Sequence, residues 1–320
     1  MGNTFLENTF AQDILKGLSS YPKYLPSKYF YDAKGDALFQ KIMQLPEYYL
    51  TKAEFEIFER QKENIVNAFS SRTGKFHLIE LGAGDGYKTK VLLEHLLGKQ
   101  SNFEYVPVDI SGNVLNLLQN DLKTSMPNLE VSPIVGDYFY ALEKISEQDH
   151  DRKVVLFLGS NIGNFNQKNA NGFIKHLSQE LNEGDLLLTG VDLKKNPKVI
   201  LSAYNDASGV TKAFNFNLLD RINKELGANF ILDNYMHHPT YDPQSGECRS
   251  YLLSLKKQEV HFADLETTIE FEAYESIHTE ISKKYALREL QDMAKGAGFT
   301  VIENFIDSKG YFVDTLWEKL

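Results

Sequence analysis

The middle of the chain alternates two hydrophobic patterns: short runs dense in Val, Ile and Leu, and longer stretches whose apolar positions recur at helical spacing. The strand-like runs lie at residues 77–81, 104–109, 130–135, 153–158 and 185–191. Between them, residues 88–97, 114–124, 139–145 and 167–181 read as helices. The runs hardly alternate apolar with polar side chains, which predicts strands covered on both faces. Strand and helix in turn predict a parallel sheet flanked by helices. Further on, residues 286–296 read as a helix closed by Gly298. Two strands follow at 299–305 and 311–317, joined by a turn at Asp307-Ser308-Lys309-Gly310.

Two stretches fall outside this pattern, residues 1–60 and 195–285. The second holds strand-like runs at 230–235, 248–255 and 268–274 with no helical run between them, which predicts an antiparallel sheet. Two discontinuous domains are therefore expected. Residues 61–194 and 286–320 would form the parallel-sheet domain, and residues 1–60 and 195–285 a smaller α+β domain.

A chain of 320 residues with 42% hydrophobic positions can bury a large core. Its net charge of -10 argues against nucleic acid, since phosphate binding calls for a basic face, and favours a small-molecule partner. The single cysteine, Cys248, excludes an internal disulfide and a Cys-based zinc cluster. His237, His238 and His278 lack a zinc-binding spacing, so no metal is expected. No basic-then-apolar leader opens the sequence, and no apolar run approaches the roughly 20 residues that span a bilayer. The expectation is a cytoplasmic protein with no membrane partner, and its sequence is compatible with a monomer.

The first central strand runs into Glu80-Leu81-Gly82-Ala83-Gly84-Asp85-Gly86, and a helix opens at Tyr87-Lys88-Thr89. Glycines here let the chain turn sharply and let a ligand approach the backbone, while the helix start offers unpaired N–H groups. A dinucleotide fingerprint wants a small residue where Tyr87 stands. Asp109 closes the second strand, at the distance where a carboxylate holds ribose hydroxyls. Asp137, trailed by Tyr138, follows the third. Each Asp alone reads equally as a helix cap or turn residue. Three such features at the ends of three consecutive strands point to a nucleoside-bearing cofactor.

The form Glu-x-Gly-x-Gly-x-Gly resembles the first motif of class I S-adenosylmethionine-dependent methyltransferases. Narrower phrases add to it: Tyr29-Phe30-Tyr31-Asp32, Leu45-Pro46-Glu47-Tyr48-Tyr49, Leu158-Gly159-Ser160-Asn161-Ile162-Gly163-Asn164-Phe165, Gly190-Val191-Asp192-Leu193, Ala203-Tyr204-Asn205-Asp206 and Thr279-Glu280-Ile281-Ser282. Together, from about Tyr29 to Trp317, they resemble the histidine-specific Nα-methyltransferases of ergothioneine biosynthesis, which make the betaine hercynine. The resemblance implies a class I methyltransferase-type α/β fold, a mostly parallel doubly wound sheet ending in an antiparallel strand hairpin. It implies that Gly82, Gly84, Lys88, Asp109, Asp137, Tyr138 and Gly159 contact S-adenosylmethionine. Asn164 and Tyr204 would hold the carboxylate of L-histidine, Tyr48 and Tyr31 would lie near its amino group, and Glu280 with Ser282 would bind the imidazole edge. Tyr31 or Tyr48 would relay the proton lost by the amine.

Each assignment has a structural alternative. Tyr31 and Tyr48 also read as core aromatics, Asn164 as the cap of the helix from Gln167, and Glu280 as a solvated carboxylate. The chain departs from the family at Leu50, where a proline is usual, at Ser160-Asn161, and at Ser250, near which members carry a bulky apolar residue. Methylation of a different aromatic or modified amino acid therefore stays open beside histidine. A non-catalytic S-adenosylmethionine-binding regulator is the reading from another class.

Overall fold

The computed structural model describes residues 9–72, 74–148 and 151–320, which divide into two compact units. One unit takes the chain up to Tyr49 together with Lys195–Ser282, and the other takes Leu50–Lys194 and Lys283–Leu320. A division at 60/61 would cut a single helix, Leu50–Phe69, that lies wholly in the second unit. Its buried positions, among them Leu50, Ala53, Ile57, Phe58, Ile65 and Phe69, form one apolar stripe along its whole length, so the helix packs as one piece.

In chain order the elements are α1 (Thr9–Leu18), β1 (Lys23–Tyr24), α2 (Ala33–Gln44), α3 (Leu50–Phe69), β2 (Phe76–Leu81), α4 (Thr89–Gly98) and β3 (Phe103–Asp109). Next come α5 (Gly112–Ser125), β4 (Ile134–Val135), α6 (Tyr138–Gln148), β5 (Arg152–Phe157), α7 (Gln167–Gln179) and β6 (Leu186–Asp192). The chain continues through α8 (Pro197–Tyr204), α9 (Val210–Leu226), β7 (Tyr235–Asp242), β8 (Glu247–Ser254), β9 (Gln258–Phe262), β10 (Thr267–Phe271) and β11 (Ser276–Lys283). It closes with α10 (Leu287–Gly296), β12 (Phe299–Ile306) and β13 (Phe312–Lys319).

The larger unit is built on a seven-stranded sheet in the order β12-β13-β6-β5-β2-β3-β4. Neighbours from β4 through β6 are parallel, whereas β13 runs antiparallel to both β6 and β12. The doubly wound sheet thus ends in the expected antiparallel hairpin. Every residue of β2 and of β6 is buried, which explains the absence of alternation in their sequences. Val155, Phe157, Leu187 and Trp317 from the strands pack with Leu142, Ile174 and Met293 from the helices. The strand expected over 130–135 is a correction: only Ile134–Val135 pair as β4, with a single bridge from Val131 to Tyr105. Pro133 offers no N–H to a ladder, and this strand is the sheet's edge.

The smaller unit holds a four-stranded sheet, β1-β11-β8-β7, and a two-stranded one, β9-β10. The strand expected at 248–255 is present as β8, Glu247–Ser254, and pairs antiparallel, here with β7. The run expected at 230–235 instead makes a short 3-10 turn at Leu232–Asn234, and β7 starts at Tyr235. Its Pro239 is tolerated because β7 is an edge strand. The unit has its own core, including Phe10, Ile14, Leu218, Ile222, Leu252, Phe262 and Phe271. Asp206 caps α9, its carboxylate accepting the N–H groups of Val210 at 2.9 Å and Thr211 at 2.8 Å. Among the described residues no helix is long and apolar enough to cross a membrane.

Candidate active site

In the larger unit, the glycine turn follows β2 directly. Gly82, Gly84 and Gly86 all take positive φ, +75°, +55° and +63°, a region that side-chain-bearing residues rarely adopt. The Gly84 N–H donates to Asp109 Oδ2 at 3.2 Å, and the Ser111 N–H donates to Asp109 Oδ1 at 2.9 Å. This carboxylate is thereby fixed at the end of β3, and each oxygen keeps a lone pair for a hydroxyl donor. A Cβ on Gly82 would stand 3.1 Å from the Tyr138 hydroxyl, so the bare glycine lets the phenol lie against the turn. Tyr138 packs edge-on against Phe157 and Phe173. Burial, and then the Asp109 charge, raise its hydroxyl pKa and keep it neutral.

Asp137 is exposed, and its Oδ1 accepts the N–H groups of Phe139 and Tyr140 at 3.0 Å each, which makes it the cap of α6. The cap role and a ligand role are compatible, because the capping bonds use one oxygen. Glu80, under the turn, accepts the hydroxyl of Thr89 at 2.6 Å and that of Tyr105, and ties the start of α4 to β3. Complete burial pushes its carboxyl up to about 7 against the pull of those two bonds.

Gly159 and Ser160, beyond β5, both have positive φ, +72° and +58°. For a serine that conformation is strained, and it is held by the Asp192 N–H, which donates to Ser160 Oγ at 3.1 Å. Asn164 lies exposed at the end of a 3-10 turn, Asn161–Asn164. The helix-cap alternative for it is ruled out: Asn166 caps α7, its side chain accepting the Asn169 N–H at 2.9 Å. A Cβ on Gly163 would meet the Lys283 carbonyl oxygen at 2.8 Å, so only glycine allows this turn to close on that strand end. Lys88 does not stand free: it is ion-paired with Glu54 of α3, and the Gly159 N–H donates to the same carboxylate. Glu54 was not singled out in the sequence, although it is the one acidic residue on the buried stripe of α3.

In the smaller unit, Tyr204, Ser250, Glu280 and Ser282 come together in pairs. The buried Tyr204 hydroxyl donates to Ser282 Oγ at 2.7 Å. Ser250 Oγ donates to Glu280 Oε2 at 3.2 Å. Glu280 is half-buried, not a solvated surface carboxylate. Tyr31 rests edge-on against Phe39 and Phe214, and Tyr48 edge-on against Phe39. Although half of Tyr31 is exposed, desolvation and then the Glu280 charge drive its hydroxyl pKa far up. Tyr48 also packs beside Tyr204 and Cys248 in a small apolar cluster.

A sheet in this strand order, with a glycine turn after its first central strand and a fixed carboxylate after the second, defines a class I methyltransferase. The residues at the turn fit S-adenosylmethionine: a carboxylate for hydroxyls, an aromatic face, open space over Gly84 and an ammonium on Lys88. Comparison with known proteins gives the family. The chain belongs to the histidine-specific, S-adenosylmethionine-dependent methyltransferases, whose family model matches residues 10–319. It is 35% identical over 301 residues to a protein of Mycolicibacterium smegmatis named histidine N-alpha-methyltransferase, covering 94% of this chain and 92% of the relative. A Mycobacterium tuberculosis protein of the same name is 34% identical with the same coverage. Ergothioneine biosynthesis protein 1 of Schizosaccharomyces pombe is 29% identical over 313 residues, 94% of this chain and 40% of the fungal protein.

Proposed function

We propose that this protein methylates the α-amino nitrogen of L-histidine three times in succession, giving Nα,Nα,Nα-trimethylhistidine. The observation that carries the reading is the half-buried Glu280, two residues from Ser282 on β11, within a chain that matches the histidine-specific family along nearly its whole length. A carboxylate accepts the imidazole N–H and favours the protonated ring, and an isostere without that donor would leave it unpaired. Tyr204, oriented by Ser282, and Asn164 are proposed to hold the substrate carboxylate with neutral donors.

S-adenosylmethionine, when bound, supplies an electrophilic methyl on a sulfonium. Gly82, Gly84, Asp109, Asp137 and Tyr138 are proposed to bind it, with Lys88 and Gly159 beside them. The incoming amine must be neutral to attack, and an α-amino group is mostly protonated at pH 7. Tyr31 acts here as a hydrogen-bonding relay rather than a phenolate base, because its raised pKa keeps the proton on oxygen at neutral pH. The faces of Tyr31 and Tyr48 suit a quaternary ammonium product, which needs no hydrogen bond, at roughly 0.5–2 kcal/mol per ring.

Mass spectrometry of histidine incubated with the protein and S-adenosylmethionine tests this, with a gain of three methyl groups as the expected result. One observation favours a second reading. Ser250 already gives Glu280 a donor, so the penalty against a substrate without an imidazole is reduced, and other α-amino acids become admissible. A panel of amino acids under identical conditions separates the two, and exclusive turnover of a substrate other than histidine would overturn the first.

A further inference from the structure

Helical periodicity places a carboxylate where water does not reach. The stripe of α3 that buries Leu50, Ala53, Ile57 and Phe58 also contains Glu54, at 0% exposure. Glu54 Oε1 accepts the Gly159 N–H at 2.7 Å, and Oε2 takes the Lys88 ammonium. Gly190 in β6 provides the room: a Cβ there would overlap Glu54 Oε1 and stand 3.0 Å from Asp314 Oδ1. Asp314, wholly buried in β13, has no donor for either oxygen among the described residues. Burial, and then the Glu54 charge, raise its pKa well above the carboxylate range and favour its neutral form. Glu80, the remaining acid that faces Lys88, is raised by burial to about 7. The Lys88 charge is thus cancelled chiefly by Glu54.

S-adenosylmethionine makes two electrostatic demands of such a site. Its carboxylate calls for a cation, and its sulfonium is repelled by one. We propose that Glu54 is a positioning residue for the methyl donor: it fixes Lys88 and the Gly159 turn in one geometry and offsets the ammonium charge so that the sulfonium is admitted. This rests on the reading that Lys88 and Gly159 belong to the donor site.

The test is titration calorimetry of the full chain with S-adenosylmethionine and with S-adenosylhomocysteine, which lacks the positive charge and the methyl. Glu54→Gln leaves Lys88 without its counter-charge. It is expected to weaken the sulfonium ligand about tenfold more than the thioether, in line with one unscreened charge nearby. Equal weakening of both ligands, or none, overturns the proposal, since a merely structural role would not sort ligands by charge. The double variant Glu54→Gln/Lys88→Gln removes both charges, leaves no unpaired buried ion and remains informative where the single variant unfolds. Its ratio of the two affinities is expected to return to that of the parent, and a ratio still shifted against the sulfonium also overturns the proposal. Asp109→Ala identifies the other failure: if it weakens neither ligand, the donor site itself has been misplaced and the role of Glu54 falls with it.

Discussion

Gly190→Ala is the smallest change that tests how tightly the larger unit is packed around its buried carboxylates. The residue sits in β6 opposite Asp314, and its backbone does not take a positive φ, so alanine meets no conformational objection. The objection is space. The new methyl would overlap Glu54 Oε1 and lie 3.0 Å from Asp314 Oδ1. Glu54 cannot yield without giving up the Gly159 N–H and the Lys88 ammonium. Disrupting a buried pair of this kind costs about 3–5 kcal/mol. At roughly 2–4 °C per kcal/mol for a unit of this size, the melting temperature should fall by about 6–20 °C. A circular dichroism melt with a parallel urea titration reads the effect. Gly172→Ala is the control: that glycine is exposed in α7, and a Cβ there meets nothing within 4 Å. Alanine is expected to stabilise that helix by about 0.8–1 kcal/mol. If Gly190→Ala melted within roughly 2 °C of the parent, too little to signal a lost pair, the account of Glu54 as pinned would be refuted.

Other predictions follow from the smaller unit. Glu280→Gln keeps the size and removes the charge; the KM for histidine should rise about 10–100-fold while donor affinity is unchanged, the worth of one charge-assisted hydrogen bond, and an unchanged KM would remove Glu280 from substrate binding. His237 is held down to about 4, chiefly by burial, and neither ring nitrogen has a hydrogen-bond partner among the described residues. Its folded value lies below the unfolded one of about 6.5, so the stability it contributes is complete above that pH and is lost as pH falls toward 4, by up to about 3 kcal/mol. Urea midpoints at neutral and mildly acidic pH should differ in the parent and much less in His237→Gln. Asp206→Ala removes the cap of α9 and should cost about 1–2 kcal/mol at neutral pH. Hydrogen bonds from Ser208 and Thr211 outweigh burial and hold this carboxyl down to about 2. The gap between variant and parent should therefore close as pH falls from about 4 toward 2, and a pH-independent gap would contradict the cap.

The central strands were legible because burial on both faces leaves an unbroken apolar signature, as in β2 and β6. The edges were not. β4 is two residues long beside Pro133, β1 is two residues long, and β7 carries Pro239, so none has a pattern of its own. Their place in a sheet is set by what lies alongside. In the site, positions with a backbone requirement were readable: Gly82, Gly84 and Gly159 all take positive φ, and Asp109 closes its strand. Glu54 and Asp314 were missed, since a carboxylate in an apolar pattern reads as noise until its partner is found. The signal existed: each interrupts an otherwise buried stripe or strand. Asn166, rather than Asn164, as the α7 cap shows a limit of another kind, where two candidates two residues apart differ only in backbone conformation.

The register that sets Phe312 against Asp192 and Glu318 against Leu186 carries a consequence for biogenesis. β13 lies between β6 and β12, so the flank of β6 is closed by a segment the ribosome delivers long after β6 itself. Until then Leu186, Leu187 and Leu188 border an unclosed row of amide and carbonyl groups, the arrangement most prone to sticking to a neighbouring nascent chain. Yield in a heterologous host should therefore respond to chaperone supply and to translation speed downstream of residue 192.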